Sequence, residues 1–347
     1  LPGPTEGHYE FISYGYNTTQ FYGADKAPGQ NRYAGGMQDN GTWYHAEGIE
    51  GGAAVDATFG IGGDGFEVLW HSTDPNKIIG GSQYNNFAST FNGGTSWISA
   101  TSGFDDEGPF VTRLAHHKSL PDRIFTVGSQ GVWMSSDFGS GWSASTMQNG
   151  VLWSFSNSAD VEVSYANPDV IWAGGALQEN GRLFVSTDGG FNFSPSENYS
   201  DFQMGSISGI GTHPTNDQVA YALFSFAGFP KVIKTEDLGQ TWEDISGFDG
   251  TGAASDRGFP DVAVNCLFVF PNNTNRIWVG SEIGIIESLD AGSTWALLDG
   301  GMPPVNIYDL KLVEDQIVIA TYGRGIWSVT VDGIVLPPTI SEGYTSI

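Results

Sequence analysis

The sequence has little cysteine and no long apolar stretch. Among 347 residues there is one cysteine, Cys266, so no disulfide bond can form within the chain. It lies in the apolar segment 264–270, where a small buried side chain is expected. No segment is apolar over the ~20 residues that a membrane-spanning helix requires, and residues 1–6 lack the basic and apolar regions of a signal peptide. We therefore expect no membrane insertion.

Basic residues are also scarce. Thirteen Lys and Arg stand against 39 Asp and Glu, which gives a formal net charge of -26. A phosphate backbone or an anionic membrane would be repelled over most of such a surface, so neither is expected as a partner. Helical periodicity is sparse as well. The 49 Gly, 22 Phe, 13 Tyr and 11 Trp instead indicate many short strands joined by tight turns.

One short phrase occurs five times. It consists of a hydroxyl residue, any residue, a carboxylate or amide, any residue, Gly, two residues and an aromatic. The copies are Thr90–Trp97, Ser135–Trp142, Ser186–Phe193, Thr235–Trp242 and Ser288–Trp295. The aromatic positions are 45, 51, 49 and 53 residues apart. This spacing is typical of stacked supersecondary units.

The phrase predicts a hairpin turn. A short carboxylate or amide accepts backbone N–H groups just ahead of it, Gly takes a positive φ, and the aromatic ring is buried between neighbouring sheets. We therefore predict a structural role, rather than catalysis or metal binding, for five residues: Asn92, Asp137, Asp188, Asp237 and Asp290.

A second repeat predicts the number of units. A turn rich in Pro, Asn and Asp precedes an apolar strand at 74–78, 120–124, 167–171, 215–219 and 273–277, with looser relatives at 28–33 and 314–317. Seven turns imply seven units, each with four strands. The predicted fold is an all-β, seven-bladed β-propeller of four-stranded antiparallel blades.

The last unit offers three strands. We predict that residues 9–16 supply its outer strand and close the ring, so that residues 9–335 form one propeller after a lead of residues 1–8. Residues 336–347 are interpreted as a linker or tail, and Pro337-Pro338 predicts a continuation into other domains of the same polypeptide.

The repeated phrase is identified as the Asp-box, or bacterial neuraminidase repeat. Together with Gly36–Trp43, Gly62–Glu67 and Thr321–Trp327, it makes residues 9–331 resemble secreted bacterial propellers of the sortilin-like and glycosyl hydrolase-like kind. The resemblance implies a secreted or cell-surface protein. It is specific for the fold, because Asp-boxes occur in sialidases, two-propeller xyloglucanases, sortilin receptors and photosystem assembly factors alike.

Two of these families imply different catalytic groups. Sialidases grip the substrate carboxylate with three Arg, but this chain has seven Arg, of which Arg32, Arg123 and Arg276 lie in the Pro/Asn/Asp turns, and the Arg-Ile-Pro phrase is absent. Two-propeller xyloglucanases hold one catalytic Asp on each propeller, and Asp64 in Gly-Gly-Asp-Gly-Phe is similar to such an Asp. A single propeller would then carry half of the pair.

Propeller geometry places the loops between second and third strands on one face, with the connections between blades. These loops are rich in amides, aromatics and carboxylates, which bind sugar hydroxyls and stack on sugar rings. The alternative is that these groups bond to one another and to water, and rigidify the ring. The ligand-binding candidates are Gln38, Asn40, Gln83, Tyr84, Asn85, Gln178, Glu179, Glu282, Asp309, Tyr322 and Arg324.

Carboxylates on the same face are the catalytic candidates. Asp39 and Asp64 are expected on adjacent blades, and Glu67 follows in the same connection, so that one of them could serve as a general acid. The cluster Asp105, Asp106 and Glu107 could bind calcium, although no regular ligand spacing supports it. No other cofactor is expected.

The sequence leaves three functions open. The first interpretation is an extracellular ligand-binding or interaction module, with a glycan or a protein as ligand, rather than an enzyme. The second is a glycoside hydrolase that acts on an extracellular polysaccharide with a carboxylate acid/base. The third is an architectural unit of an extracellular assembly.

Overall fold

The computed structural model describes residues 19–46, 57–150, 153, 159–175, 183–196, 206–252, 254–299 and 302–333. Seven antiparallel sheets form a ring in these residues. They contain one 3-10 turn, Gln83–Asn85, and no α-helix. The predicted all-β, seven-bladed propeller is therefore confirmed.

The first three blades each have four consecutive strands. Blade 1 contains β1 (Gly23–Lys26), β2 (Tyr33–Met37), β3 (Gly41–Tyr44) and β4 (Thr58–Ile61). Blade 2 contains β5 (Val68–Trp70), β6 (Ile78–Ser82), β7 (Asn86–Thr90) and β8 (Ile98–Ser99). Blade 3 contains β9 (Ala115–His117), β10 (Leu120–Gly128), β11 (Gly131–Ser135) and β12 (Ser143–Ala144).

Blade 4 has an added parallel strand, β13 (Thr146–Met147), outside β14 (Asp160–Val163), β15 (Ile171–Gly174), β16 (Phe184–Ser186) and β17 (Asn192–Pro195). Blade 5 contains β18 (Ile207–Thr212), β19 (Ala220–Phe224), β20 (Val232–Thr235) and β21 (Glu243–Asp244). Blade 6 contains β22 (Val264–Val269), β23 (Ile277–Ser281), β24 (Gly284–Ser288) and β25 (Ala296–Leu297). Blade 7 has three strands in the described chain, β26 (Asn306–Val313), β27 (Gln316–Tyr322) and β28 (Ile326–Thr330).

The hydrophobic core is divided among the seams between blades. Seven clusters of buried apolar residues are found in the described residues, and each joins one blade to the next. The smallest joins blade 7 to blade 1 and has three fully buried members, Ala24, Val318 and Ala320. Each blade thus buries both faces against its neighbours, which is the arrangement that a closed ring permits.

Five turns share one hydrogen-bond pattern. In each, the hydroxyl of the first residue donates to the side-chain oxygen of the third over 2.8–2.9 Å and accepts the glycine N–H over 2.8–3.0 Å. The third side chain also accepts the N–H four residues further on. We call these the repeat turns. Their third residues are Asn92, Asp137, Asp188, Asp237 and Asp290.

The glycine in a repeat turn has both a positive φ and no room for a side chain. Its φ lies between 79° and 93° in all five turns. A Cβ at Gly94 would lie 2.1 Å from the Tyr44 ring, and one at Gly190 would lie 2.2 Å from the Phe125 ring. Glycine is therefore required at these two positions for conformation and for packing.

The aromatic residue that ends each repeat turn packs on the preceding blade. The indole N–H of Trp142 donates to Ala100 O over 2.7 Å, and that of Trp295 donates to Ile245 O over 2.8 Å. Trp142 also stacks on Phe87 with 5.1 Å between ring centroids. Burial of the ring supplies apolar contact, while the hydrogen bond satisfies its one polar atom. The repeat turns thus connect neighbouring blades.

Successive strands alternate in direction, so each blade has two ends. The upper face carries the turns between second and third strands and the connections between blades. The lower face carries the other turns. There, Nδ1 of His71 accepts the N–H groups of Thr73 and Asp74, and Nδ1 of His213 accepts those of Thr215 and Asn216, over 3.0–3.2 Å. Each of these histidines therefore stabilises the turn that follows an inner strand.

The described chain starts at the junction of blades 7 and 1. Phe21 N–H donates to Thr321 O over 2.9 Å, and Tyr22 N–H donates to Gly36 O over 3.0 Å. Lys26 of blade 1 forms a 2.7 Å ion pair with Glu314 of blade 7. Residues 9–16, which the sequence assigns to the outer strand of blade 7, lie outside the described residues.

Replacing Trp295 by Ala should destabilise the propeller by about 3–5 kcal/mol, because the change empties a buried site between blades 5 and 6. Trp295 is 5% exposed and loses its bond to Ile245 O as well. Leu289→Ala is the matched control in the same turn, since Leu289 is 64% exposed. Urea unfolding measures both. Equal losses of unfolding free energy in the two variants would contradict the conclusion that Trp295 stabilises the contact between blades 5 and 6.

Candidate functional site: the central channel and the upper face

The inner strands of the seven blades surround a central channel with a cavity of about 160 Å³. Its polar lining is mostly charged. Five carboxylates and three Lys or Arg side chains contribute, namely Asp25, Glu67, Asp160, Glu162, Asp309, Arg113, Lys118 and Lys311. Acidic groups therefore outnumber basic ones in the channel lining, as they do in the whole sequence.

Lys311 joins blade 7 to blade 2 across the channel. Its ammonium group contacts the Glu67 carboxylate, lies 3.2 Å from Asp309 Oδ2, and donates to Val68 O over 3.2 Å. Burial raises the pKa of Glu67 to about 7 although Lys311 pulls it down. Burial alone would lower the pKa of Lys311, but Asp309 and Glu67 raise it above its ordinary value. The lysine is therefore charged, and its contacts link blade 7 to blade 2.

Asp25 and Asp160 tie adjacent inner strands. Asp25 accepts the N–H groups of Lys26 and Trp70, each over 2.7 Å. Asp160 accepts the N–H groups of Val161 and Ile210, each over 3.0 Å. Burial raises the pKa of Asp25 to about 6, and it raises that of Asp160 too, against the pull of Arg113.

Tyr165 crosses the lower end of the channel. Its hydroxyl donates to Leu312 O over 2.8 Å, so blade 4 contacts blade 7 across the axis. Glu162 lies in the channel above it, and burial raises the pKa of this carboxyl well above its usual range.

Six aromatic side chains form a continuous row on the upper face. Each ring contacts the next, with centroid distances of 4.6–5.7 Å. We call this the aromatic row; in order its members are Tyr322, Tyr308, Tyr22, Phe66, Phe110 and Tyr84. Three of them are exposed, namely Tyr84, Phe110 and Tyr322. The row therefore crosses blades 7, 1 and 2 and presents stacking surface to solvent.

Asp39 and Asp64 lie beside the row. Asp39 N–H donates to Asp64 Oδ1 over 2.8 Å, and Asp64 N–H donates to Gln83 Oε1 over 2.9 Å. Gln38 accepts the hydroxyl of Tyr22 over 2.7 Å. The structure thus brings Gln38, Asp39, Asp64 and Gln83 to one place, at the junction of blades 1 and 2. The Asp39 side chain is exposed, whereas Asp64 is partly buried.

The connection that carries Asp64 has no room for larger residues. A Cβ at Gly65 would lie 2.3 Å from Gly41 O, and one at Gly36 would lie 2.2 Å from Phe66 O. Backbones of this connection and of blade 1 therefore approach closely, which fixes Asp64 relative to the β2–β3 turn.

Other candidates from the sequence have different surroundings. Asn85 is buried and donates to Val127 O over 2.7 Å. Glu67 and Asp309 line the channel. Asn40, Glu282 and Arg324 are exposed, and Glu282 accepts the Ala263 N–H over 3.0 Å. Gln178 and Glu179 lie outside the described residues.

The Asp106 carboxylate is hydrogen-bonded to neighbouring residues. It accepts hydrogen bonds from Ser129 Oγ, from Gln130 N–H over 2.9 Å and from Trp133 Nε1 over 3.1 Å. Burial opposes ionisation, but these donors hold the pKa of Asp106 below its usual value. Asp105 and Glu107 beside it are exposed. In the part of the chain that the structure describes, no three His, Cys, Asp or Glu side chains are arranged to hold a metal ion.

Most residues of the aromatic row and of the channel lining were not among the candidates predicted from the sequence. Tyr22, Phe66, Phe110 and Tyr308 lie in or beside blade connections, where no periodic pattern marks them. A signal for the channel was present, because charged and apolar residues alternate in the inner strands, as in Asp160–Val163. Alternation predicts that one side faces the axis.

No family model matches the sequence. The chain is 23% identical over 289 residues to a xyloglucanase from a Paenibacillus species, a match that takes in 82% of this chain and 25% of the relative. Among solved structures, an ancestral GH74 enzyme has a TM-score of 0.66 at 16% identity, over 91% of this chain and 45% of its own. The GH74 xyloglucanase of Xanthomonas campestris has a TM-score of 0.55 at 15% identity, over 90% and 43%.

The chain spans about a quarter of the length of the curated relative and less than half of each of these structures. At such identities the structures share the β-propeller fold with this chain. In addition, no helix of the described residues is long and apolar enough to cross a membrane.

The part of the stability that depends on Glu67 and Asp25 should fall as the pH rises from 5 to 8, while the histidines with lowered pKa values act in the opposite direction. Burial raises the pKa of Glu67 to about 7 and that of Asp25 to about 6, so these two groups hold more protons in the folded than in the unfolded protein in this range. That contribution is complete below about pH 4 and is lost as the pH rises through 7.

Urea unfolding at pH 5, 6, 7 and 8 measures this dependence. Relative to the unchanged protein, Glu67→Gln should lose less stability as the pH rises, because a group that cannot titrate adds no proton difference. Glu243→Gln is the control, since Glu243 is exposed on β21. A pH dependence that is unchanged in Glu67→Gln would show that other groups cause it.

Proposed function

We propose that this chain is a glycan-binding β-propeller of a secreted or surface glycoside hydrolase, with xyloglucan-type polysaccharides as its substrate class. The aromatic row beside Asp39 and Asp64 carries this proposal. The similarity to a xyloglucanase supports the substrate class. Polysaccharides of this class occur outside the cell, so we propose an extracellular location for the protein.

The aromatic row suits a chain of sugar rings. Sugars expose flat C–H faces that stack on aromatic rings, and they expose hydroxyl groups that bind amides and carboxylates. Tyr84 and Tyr322 offer exposed rings at the two ends of the row. Gln38, Asp39 and Gln83 supply polar groups between them. A linear glycan could therefore contact rings and polar groups together.

Asp64 is the proposed acid/base residue. Its Oδ1 is held by the Asp39 N–H, and no described residue hydrogen-bonds to its Oδ2. A fixed carboxylate with one oxygen available can exchange a proton with a glycosidic oxygen. Hydrolysis also needs a second carboxylate about 5–10 Å away, and Asp39 or another part of the polypeptide would supply it. Glu67 is not assigned this role, because its carboxylate forms an ion pair with Lys311.

Binding without hydrolysis is the second candidate function. The aromatic row favours it, because stacking requires no catalytic pair. Such a module would present a polysaccharide to other domains of the same polypeptide.

Tyr84→Ala should weaken binding of xyloglucan oligosaccharides about two- to tenfold, because one stacked ring contributes roughly 0.5–1.5 kcal/mol. Isothermal titration calorimetry measures the affinity. Phe191→Ala is the matched control, since Phe191 is 59% exposed and Tyr84 58%, but Phe191 lies in a repeat turn on the lower face. Equal affinities in the two variants would show that the aromatic row does not bind the oligosaccharide.

Asp64→Asn should abolish release of reducing ends from xyloglucan while the affinity stays within about twofold of the unchanged protein. Asn keeps an Oδ1 acceptor for the Asp39 N–H, so the loop is retained while the acid is lost. Asp315→Asn, on the exposed lower turn of blade 7, controls for the loss of one charge. If the unchanged protein binds the glycan but cleaves none of a panel of polysaccharides, the binding module is favoured.

A further inference from the structure

The turn between β6 and β7 on the upper face has a strained backbone. It connects Ser82 to Asn86, which are paired, and the Asn86 N–H donates to Gln83 O. Tyr84 has φ 62° and ψ 37°, and Asn85 has φ 56°. In the described part of the chain no other two consecutive non-glycine residues have positive φ. Turns of this type favour Asn-Gly, so a tyrosine at the first position costs conformational energy.

Contacts outside the turn compensate for this strain. The Tyr84 N–H donates to Pro109 O over 3.0 Å, and the Asn85 N–H donates to Thr112 Oγ1 over 3.3 Å. The Thr112 hydroxyl in turn donates to Ser82 O. Pro109 and Thr112 both belong to the connection between blades 2 and 3. The strained turn is therefore bonded to this connection.

The Asn85 side chain links the same turn to blade 3 itself. Its Nδ2 donates to Val127 O on β10 over 2.7 Å, and the residue is 1% exposed. A Cβ at Gly108 would lie 2.5 Å from Asn85 Cγ, so the backbone of the connection packs directly on the carboxamide. Asn85 Oδ1 is buried and has no hydrogen-bond partner among the described residues. The amide is therefore held through its N–H group and through close packing.

The conformation of the turn determines where the Tyr84 ring lies. The ring is 58% exposed, yet it contacts the Phe110 ring with 5.7 Å between centroids. Phe110 follows Pro109 in the connection that bonds the turn. Because φ and ψ set the direction of the Cα–Cβ bond, another conformation of the turn would move the Tyr84 ring away from Phe110. The strained conformation thus keeps Tyr84 at the end of the aromatic row.

We propose that Asn85 is a positioning residue for glycan binding, and that its hydrogen bond to Val127 O holds the turn so that the Tyr84 ring stays in the stacking position. The inference rests on the proposed function, in which this ring contacts a sugar. The sequence predicts Asn85 as a ligand-binding residue, but its burial leaves it only an indirect role. A ring that is ordered before binding loses less conformational entropy when the glycan binds.

Asn85→Gly tests the anchor without adding strain, because glycine adopts a positive φ readily and lacks the carboxamide. The variant should bind xyloglucan oligosaccharides about two- to tenfold more weakly, with a loss no larger than that of Tyr84→Ala. Calorimetric titration measures the affinity. Asn167→Gly is the matched control, since Asn167 Nδ2 donates to Asp217 Oδ2 over 2.7 Å between lower turns of blades 4 and 5. Its affinity should be unchanged.

A double-mutant cycle separates positioning from a general structural effect. In a protein that already carries Tyr84→Ala, Asn85→Gly should change the affinity by less than about 1.5-fold, because the ring through which it acts is absent. Equal losses of affinity in the two backgrounds would overturn the proposal. Full affinity in Asn85→Gly, together with weakened binding in Tyr84→Ala, would overturn it as well.

Hydrogen exchange without ligand tests the anchor separately from glycan binding. Asn85→Gly should speed exchange of the amides of residues 84–86 about tenfold, because the turn opens more often. Asn167→Gly should leave them unchanged. Unchanged exchange in Asn85→Gly would overturn the proposal even if the affinity falls. If exchange is faster but the unchanged protein binds no oligosaccharide, the turn is anchored as described, and both the proposed function and the binding role of Asn85 are wrong.

A second variant covers the case in which Asn85→Gly does not fold. Asp has the shape of Asn and tolerates a positive φ, but its carboxylate offers no N–H to Val127 O. Asn85→Asp should therefore weaken the affinity and speed the exchange of residues 84–86 in the same way. Affinity and exchange equal to those of the unchanged protein would overturn the proposal.

Discussion

Burial of both faces of every blade is the constraint on which the molecule depends. A four-stranded sheet with two apolar faces is stable only if each face meets another sheet, and a ring gives every blade two neighbours. The seven core clusters of the described residues coincide with the seams between blades. The repeat turns extend these seams outward, because each places an aromatic ring on the preceding blade. Ring closure then determines where all other residues meet.

Closure has opposite consequences at the axis and at the upper face. At the axis it gathers polar residues of the inner strands in a narrow channel, where carboxylates lose water and their pKa values rise. Lys311 and Arg113 offset part of this cost by pairing with Glu67 and Asp160. At the upper face it gathers aromatic residues from distant parts of the chain, from Tyr22 to Tyr322. The channel therefore links inner strands through paired charges, and the row forms an aromatic surface on the upper face.

The fold was predictable because its signals are local and repeated. Hydroxyl, carboxylate, glycine and aromatic residues stand at fixed offsets in each repeat turn, and each turn forms from its own residues. The candidate site was predictable in part. Asp39, Asp64, Gln38 and Gln83 meet because their loops share a face. Asp309 was expected on the open face, but a β-bulge between Ile307 and Asp309 alters the alternation of β26, and the side chain lines the channel. A bulge of this kind leaves no mark in the sequence.

The sequence by itself determined the strands, the turns, the number of blades and the acidic character of the protein. These properties depend on residue types at short spacing and on composition. Only the tertiary structure decided which side chains meet, because contacts such as Lys311 with Glu67, or Tyr22 with Tyr308, join residues more than two hundred positions apart. Small differences in strand register select these partners. The pattern of one strand shows which residues share a face, but the residues that face them from other blades are set by ring closure.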